Sequence, residues 1–141
     1  MPSTRESALQ GLKTALDTLA TVTLEVKRNV AIPTLVPADG LLIVRDGEPG
    51  EPETVLSPVT YSYEHEAEIE ALVHSNTLDG DLDTLLALIP GALNADKTLG
   101  GVIDILEIRT PEFLDEPVEG ADNFKGATVP VTLFYDTTSP L

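Results

Sequence analysis

Three aspartates stand at alternate positions in the middle of the chain: Asp79, Asp81 and Asp83. This spacing matches the first three ligands of a calcium loop, because Ca²⁺ prefers hard oxygen donors on one short turn. The rest of that loop is missing, since Thr84 stands where it needs glycine and Pro90 where it needs glutamate. The aspartates fit better as the acidic start of a helix, where the helix dipole favours carboxylates.

Two histidines, His65 and His74, could bind a metal or transfer a proton near neutral pH. They are nine residues apart, so they would lie on opposite faces of one continuous strand and could not easily share an ion. We expect His65 to be a packed or interfacial side chain and His74 to be solvated. A metal-binding or general-base role is the less favoured alternative for each.

Other catalytic and cofactor-binding motifs are missing from the sequence. It contains no seryl nucleophile elbow, glycine-rich phosphate loop or paired zinc-ligand motif. The absence of cysteine removes disulfides, thiolate metal sites and thiol catalysis. A catalytic carboxylate pair cannot be located from spacing alone. We therefore expect a protein that is not an enzyme and has no cofactor or metal site.

The clearest pattern is the alternation in residues 61–73, which read YSYEHEAEIEALV. Successive strand side chains point to opposite faces, so one face would be anionic and the other apolar. The anionic face carries Glu64, Glu66, Glu68 and Glu70. Alternate carboxylates stand ~7 Å apart, where each pair repels by ~0.6 kcal/mol in water, so the row is tolerated when exposed. A solvated sheet face is the simplest interpretation, and an anionic wall that repels DNA is the functional alternative.

The net charge limits the kinds of partner. The chain has 24 acidic and 8 basic residues, for a formal charge of −16. Such a charge disfavours binding to nucleic acid or an anionic membrane, since both need clustered Lys and Arg. No apolar run approaches the ~20 residues of a membrane span, and the N-terminus shows no signal-peptide pattern. We expect neither membrane insertion nor export.

Two helices are predicted. Ser3 and Glu6 have capping-box spacing, and apolar residues then recur at helical intervals to Leu19. A second leucine-rich stripe covers 82–93, where Pro90 and Gly91 predict a kink or the end of the helix.

Strands are predicted at 22–27, 41–45, 53–56, 61–73, 102–109 and 127–136. Residues 53–56 would form a hairpin with the long strand, with a break near Ser57-Pro58. The long strand spans ~43 Å at ~3.3 Å per residue, so part of it should project or bend. Pro130 favours an edge position or a bulge. Flexible loops are expected at about 31–40, 46–53 and 111–126.

These elements predict one α+β domain covering residues 1–141. It should contain a mostly antiparallel twisted β-sheet, packed by two main α-helices, with a long projecting strand or hairpin.

The order of elements resembles the tail terminator, or tail completion, proteins of long-tailed phages. The resemblance includes the acidic strand from Tyr61, the turn ADKTLGG at 95–101 and the ending LFYDT at 133–137. It covers most of residues 3–138, and extends to the terminator subunits of phage-like gene transfer agents. Pro90 and Pro130 depart from the family's regular pattern.

The resemblance implies a structural virion-type protein without catalytic residues. Such proteins form a hexameric ring that ends tail-tube polymerisation and joins the tail to the head connector, leaving a channel for DNA. The implied partners are further copies of the chain, the tail tube protein and a head–tail connector or stopper protein. DNA would pass without specific binding. The protein would assemble in the bacterial host cytoplasm and end in the tail-neck region of the particle.

Within such a ring, we expect the face with Tyr61, Tyr63 and Ile69 to contribute to the subunit interface, together with loops 31–40 and 111–126. Tyrosine buries a large area at low entropy cost, which suits interfaces. Glu64, Glu66, Glu68 and Glu70 are expected to line the DNA channel, where carboxylates would not trap phosphates.

A rival hypothesis is an acidic DNA mimic, or a small soluble binding protein that acts on a basic partner. Carboxylates ~7 Å apart could imitate the spacing of phosphates. Such a protein would act as a monomer or dimer.

Overall fold

The computed structural model describes residues 3–31, 37–74, 79–113 and 124–140. Its elements, in chain order, are α1 (Thr4–Asp17), β1 (Leu24–Arg28), β2 (Gly40–Glu48), β3 (Glu53–Leu56), β4 (Val59–His74), α2 (Asp79–Asn94), β5 (Ile105–Ile108), β6 (Glu112–Phe113) and β7 (Phe124–Thr137).

All the strands belong to one seven-stranded sheet with the order β1-β2-β4-β7-β5. Strand β3 forms a hairpin with β4, and β6 pairs with β7 beyond the end of β5. Only the β1–β2 pair is parallel among the described strands. The predicted α+β class, with two helices and a mostly antiparallel sheet, is confirmed.

The two helices and one face of the sheet enclose the main core. The Ser3 side chain caps α1 by accepting a hydrogen bond from the Glu6 backbone N at 3.1 Å, as the capping-box spacing predicts. Both helices bury an apolar stripe, formed by Ala8, Leu9, Leu12 and Leu16 in α1 and by Leu82, Leu85, Ile89 and Leu93 in α2.

Strand β4 alternates as predicted. Tyr63, His65, Ala67, Ile69 and Ala71 are buried on the helix side. On the other side, Glu64, Glu66 and Glu68 are exposed and Glu70 is half-buried. An antiparallel sheet with helices on one face can leave its other face in water, which is the arrangement here.

Strand β2 bulges where it passes β4. Arg45 pairs with Glu68, but the next pair is Glu48 with Glu66, so β2 has one residue more than its partner in this interval. Gly47 lies in the bulge with φ +65°. A Cβ at Gly47 would lie 1.8 Å from the Glu66 carbonyl oxygen, so this close approach requires glycine.

The prediction for Pro130 is wrong. Strand β7 lies inside the sheet, and its register with β4 runs without interruption from Tyr61–Thr137 to His74–Phe124. The Pro130 carbonyl accepts from the Arg109 N at 2.8 Å, so the proline nitrogen also points toward the β5–β6 side. Because β5 ends at Ile108 and β6 begins at Glu112, the missing N–H falls where the ladder is interrupted anyway.

Other predicted boundaries differ in extent. Helix α2 continues through Pro90 to Asn94, because Ile89 and Leu93 on either side of the proline are buried in the core. Val22 lies before β1 and is fully exposed. Residues 102–104 are not part of β5.

The predicted loops are described only in part. In the segment 46–53, β2 continues to Glu48, so residues 49–52 alone lie between β2 and β3. The segments 32–36 and 114–123, which hold half of the predicted loop 31–40 and most of the predicted loop 111–126, are outside the described residues. Within the described ranges, neither helix is long and apolar enough to cross a membrane.

Gly47→Ala should destabilise the fold strongly. The positive φ alone costs ~1–3 kcal/mol for a non-glycine residue, and the clash with the Glu66 backbone adds to that cost. Urea unfolding followed by circular dichroism measures the change.

Gly50→Ala is the matched control, because Gly50 has φ +70° but no atom within 4 Å of the added Cβ. Equal losses of stability in the two variants would show that the close approach at Gly47 is unimportant.

Candidate functional site

The face of the sheet opposite the helices is rich in carboxylates. Directly opposed strand residues share a face, so pairing across β2, β3, β4, β5 and β7 groups these side chains. We define the acidic face by Glu48, Glu53, Glu64, Glu66, Glu68, Glu70, Glu107 and Asp136. The sheet thus gathers acids that are up to 88 residues apart in sequence onto one surface.

Two arginines lie on the acidic face, and Arg45 occupies the β2 position directly opposite Glu68. The Arg45 Nε lies 3.1 Å from a Glu70 carboxylate oxygen. An Arg109 terminal nitrogen lies 3.1 Å from Glu107. Among the described residues, no ion pair joins the exposed Glu64, Glu66 or Glu68 to a cation. The centre of the face is therefore an anionic strip along β4 whose exposed glutamates make no described ion pair, although Arg45 on β2 lies opposite Glu68.

The strip ends at a small apolar cluster on the same side of the sheet. Leu41, Ile43 and Leu72 are buried there, and Val30 packs against them. Near the end of β4 the acidic face no longer carries glutamate. Leu72 lies on that face, two residues after Glu70, and is buried. The exposed acids of β4 end at Glu68, before this apolar cluster.

The structure places the predicted interface residues mainly in the core. Ile69 is 0% exposed and Tyr63 is 7% exposed, so both side chains pack inside their own chain and cannot reach a second copy. This corrects the expectation for these two residues. Tyr61 is half-buried against the core. An apolar strand face can belong to a core or to a subunit interface. Here both helices pack against this face, so it belongs to the core.

An exposed apolar patch lies instead at the end of the β3–β4 hairpin. Leu56 and Val59 oppose each other and share one face, where they are 79% and 45% exposed, while Val55 is 50% exposed on the other face. The turn between the strands contains Ser57 and Pro58. We call residues 55–59 the hairpin tip. Sequence analysis predicted the hairpin but not this patch, although the absence of charge from Thr54 to Tyr63 is a signal for it.

His65 is a structural residue in the core, as the packed alternative predicted. It is 0% exposed, its Nε2 contacts the Asp46 carbonyl oxygen, and its Nδ1 lies 3.0 Å from the Tyr135 hydroxyl. A carbonyl can only accept, so Nε2 carries the proton and donates while Nδ1 accepts from Tyr135. Burial lowers the pKa of His65 and raises that of Tyr135 to about 12. The imidazole is therefore held neutral.

A polar network that sequence analysis missed connects this histidine to α1. The Arg28 guanidinium on β1 donates to both Glu6 carboxylate oxygens, at 2.7 and 2.9 Å. It also donates to both Asp46 oxygens, at 2.9 and 3.1 Å. These hydrogen bonds raise the pKa of Arg28 and lower that of Glu6. The partners are up to 22 residues apart in sequence, so no local spacing pattern could indicate them.

The described residues do not contain a metal cluster. No three His, Asp or Glu side chains in these ranges are arranged to hold an ion. Asp81 and Asp83 lie in the first turns of α2, which agrees with the helix-start interpretation of the aspartates. His74 is half-buried at the last position of β4.

His65→Gln should reduce the dependence of stability on pH between about 5 and 6.5. In wild type the unfolded chain binds a proton at His65 below its ordinary pKa of 6.5, whereas the folded chain resists protonation. The unfolding free energy therefore falls as the pH drops through this window, by up to ~1.4 kcal/mol per pH unit.

The measurement is urea unfolding of both proteins at several pH values from 5 to 8. The difference between wild type and variant removes contributions from the carboxylates that the two proteins share. A difference that stays constant across this range would contradict the neutral, buried state of His65.

No known protein-family model matches this sequence, and a search of curated proteins gave no match. What the chain does must therefore be inferred from its own residues and surfaces.

Proposed function

We propose that the chain is a structural subunit of a tail-terminator-type ring. Six copies would surround a channel, end the polymerisation of a tail tube and join the tube to a head connector while DNA passes through. The location at the tail neck and the assembly in a bacterial cytoplasm belong to the same proposal.

The observation that supports this proposal most is the exposed acidic strip on a sheet face that the helices leave uncovered. A channel for DNA needs a wall that does not trap phosphates, and exposed carboxylates repel them. Glu64, Glu66 and Glu68 would face the channel. Glu70 would contribute less charge, since Arg45 partly neutralises it.

The rigidity of this wall also supports the proposal. Strand β4 pairs with β7 along the whole strip, and on its other side it pairs with β2 at Glu66 and Glu68 and with β3 as far as Ser62. The backbone positions of its glutamates are consequently fixed in spacing and in the face they occupy, whereas a loop would hold them less firmly. A fixed, charged surface suits a passive channel wall.

The same observation favours a second candidate, an acidic DNA mimic. The strip presents carboxylates ~7 Å apart on a rigid strand, which a basic DNA-binding protein could bind in place of phosphates. In that case the acidic face is the binding site and copies of the chain need not associate.

Light scattering after size exclusion separates the two proposals. With a chain mass of 15.0 kDa, the ring predicts a species of six chains, alone or on addition of tube protein. A monomer that displaces DNA from a basic protein would support the mimic and overturn the ring.

The orientation of the strip can be tested by the double variant Glu66→Lys/Glu68→Lys. Both side chains are exposed, so the fold should persist while the strip becomes able to bind phosphate. If the strip lines a closed ring, the variant ring should retain linear duplex DNA but not covalently closed circles, which cannot thread it. A filter-binding assay at low salt measures both.

The matched control is Asp17→Lys/Asp83→Lys, which changes the charge equally at exposed helix positions on the other side of the sheet. This control should show no selectivity for linear DNA. Equal retention of linear and circular DNA by the strip variant would place the strip on the outside and contradict the channel.

A further inference from the structure

The hairpin tip is apolar, and no residue in the described ranges covers it. Its three exposed side chains, Val55, Leu56 and Val59, belong to a run of ten residues without charge, from Thr54 to Tyr63. Exposed apolar area costs ~25 cal/mol per Å², so a tip of this kind gains from contact with another apolar surface. The β3–β4 ladder holds the tip at the end of the sheet.

A concave apolar surface lies on the helix side of the same molecule. The groove between α1 and α2 has a volume of about 700 Å³. Small and apolar residues line it, including Gly11, Ala15, Leu19, Gly91, Ala92 and Leu99. A Cβ at Gly91 would meet no atom within 4 Å, so the groove is open above this glycine.

The groove is almost without charge. Asp96 lines it, but one carboxylate oxygen of Asp96 accepts from the Gly100 backbone N at 2.8 Å and the other from the Thr98 hydroxyl at 3.2 Å. These hydrogen bonds direct the carboxylate to its own turn. The rest of the lining consists of apolar side chains, glycine backbone and two uncharged threonines, Thr14 and Thr18.

Charge decides which occupant fits the groove. A basic partner would be drawn to the acidic face, where the exposed carboxylates lie, and would gain little from the groove. Two copies of the chain, each with a charge of −16, repel one another unless they meet through uncharged surfaces. The hairpin tip and the groove are two such surfaces, one convex and one concave.

We infer that the hairpin tip of one copy docks into the α1–α2 groove of the next copy. The two patches differ and lie on separate parts of the molecule, so the contact is heterologous and repeats head to tail. Such a contact generates a closed ring or an open filament. The inference deepens the proposed ring and depends on it only for the number of copies.

Engineered cysteines test the contact, because the native chain has no cysteine. Leu56→Cys and Gly91→Cys are made separately, mixed and oxidised. Docking predicts a cross-linked dimer in the mixture that neither variant forms alone, and the double variant should give a ladder of cross-linked chains. Absence of the mixture-specific dimer would overturn the inference.

Assembly measurements on cysteine-free variants give a second test. Leu56→Asp and Gly91→Leu should each weaken self-association at least tenfold, by charging the tip and by filling the groove. The controls are Val22→Asp, at a residue that is 100% exposed, and Gly80→Leu, at another α2 glycine with open space around its Cβ. Equal effects in variants and controls would also overturn the docking.

The outcomes distinguish this inference from the proposed function. Hexamers that form without the tip–groove cross-link would keep the ring and exclude this contact. A cross-link in assemblies that are not six-membered would keep the contact and exclude the ring.

Discussion

The two-faced strand β4 is the constraint on which the rest of the structure depends. It pairs with β2, β3 and β7, and its ladder with β7 is continuous from Tyr61 to His74. A slip of one residue would exchange its two faces and bury the glutamates under the helices. Burying an unpaired carboxylate costs several kcal/mol, far more than the ~0.6 kcal/mol of repulsion between exposed neighbours. The charge pattern therefore fixes the register, and the register puts every glutamate of the strip in water.

A chain of polar contacts then ties the other elements to β4. Glu6 of α1 binds Arg28 of β1, and Arg28 binds Asp46 of β2. The Asp46 carbonyl contacts His65 of β4, which accepts from Tyr135 of β7. Asp46 and Gly47 are consecutive residues of the β2 bulge, so the bulge contains one member of this network. The helices lie on one side of the sheet and the exposed carboxylates of β4 on the other.

Local patterns predicted much of this fold, and long-range contacts account for what they missed. The capping of α1 by Ser3 and the alternation of β4 depend on neighbouring residues, so they could be predicted. The position of Pro130 depends on where β5 ends and β6 begins, which no spacing around the proline reveals. Tyr63 and Ile69 could have lain in a core or an interface, because both environments select apolar side chains. The Arg28 network joins residues far apart in sequence and left no pattern to recognise.

The central claim is that copies of this chain enclose a channel with the acidic strip on its wall. Electron cryomicroscopy of the assembled protein, alone or on the end of a tail tube, tests that claim most directly. The account predicts a sixfold ring in which Glu64, Glu66 and Glu68 face the central opening. A ring with these three residues on its outer rim, or a particle in which they contact a basic protein, would contradict it.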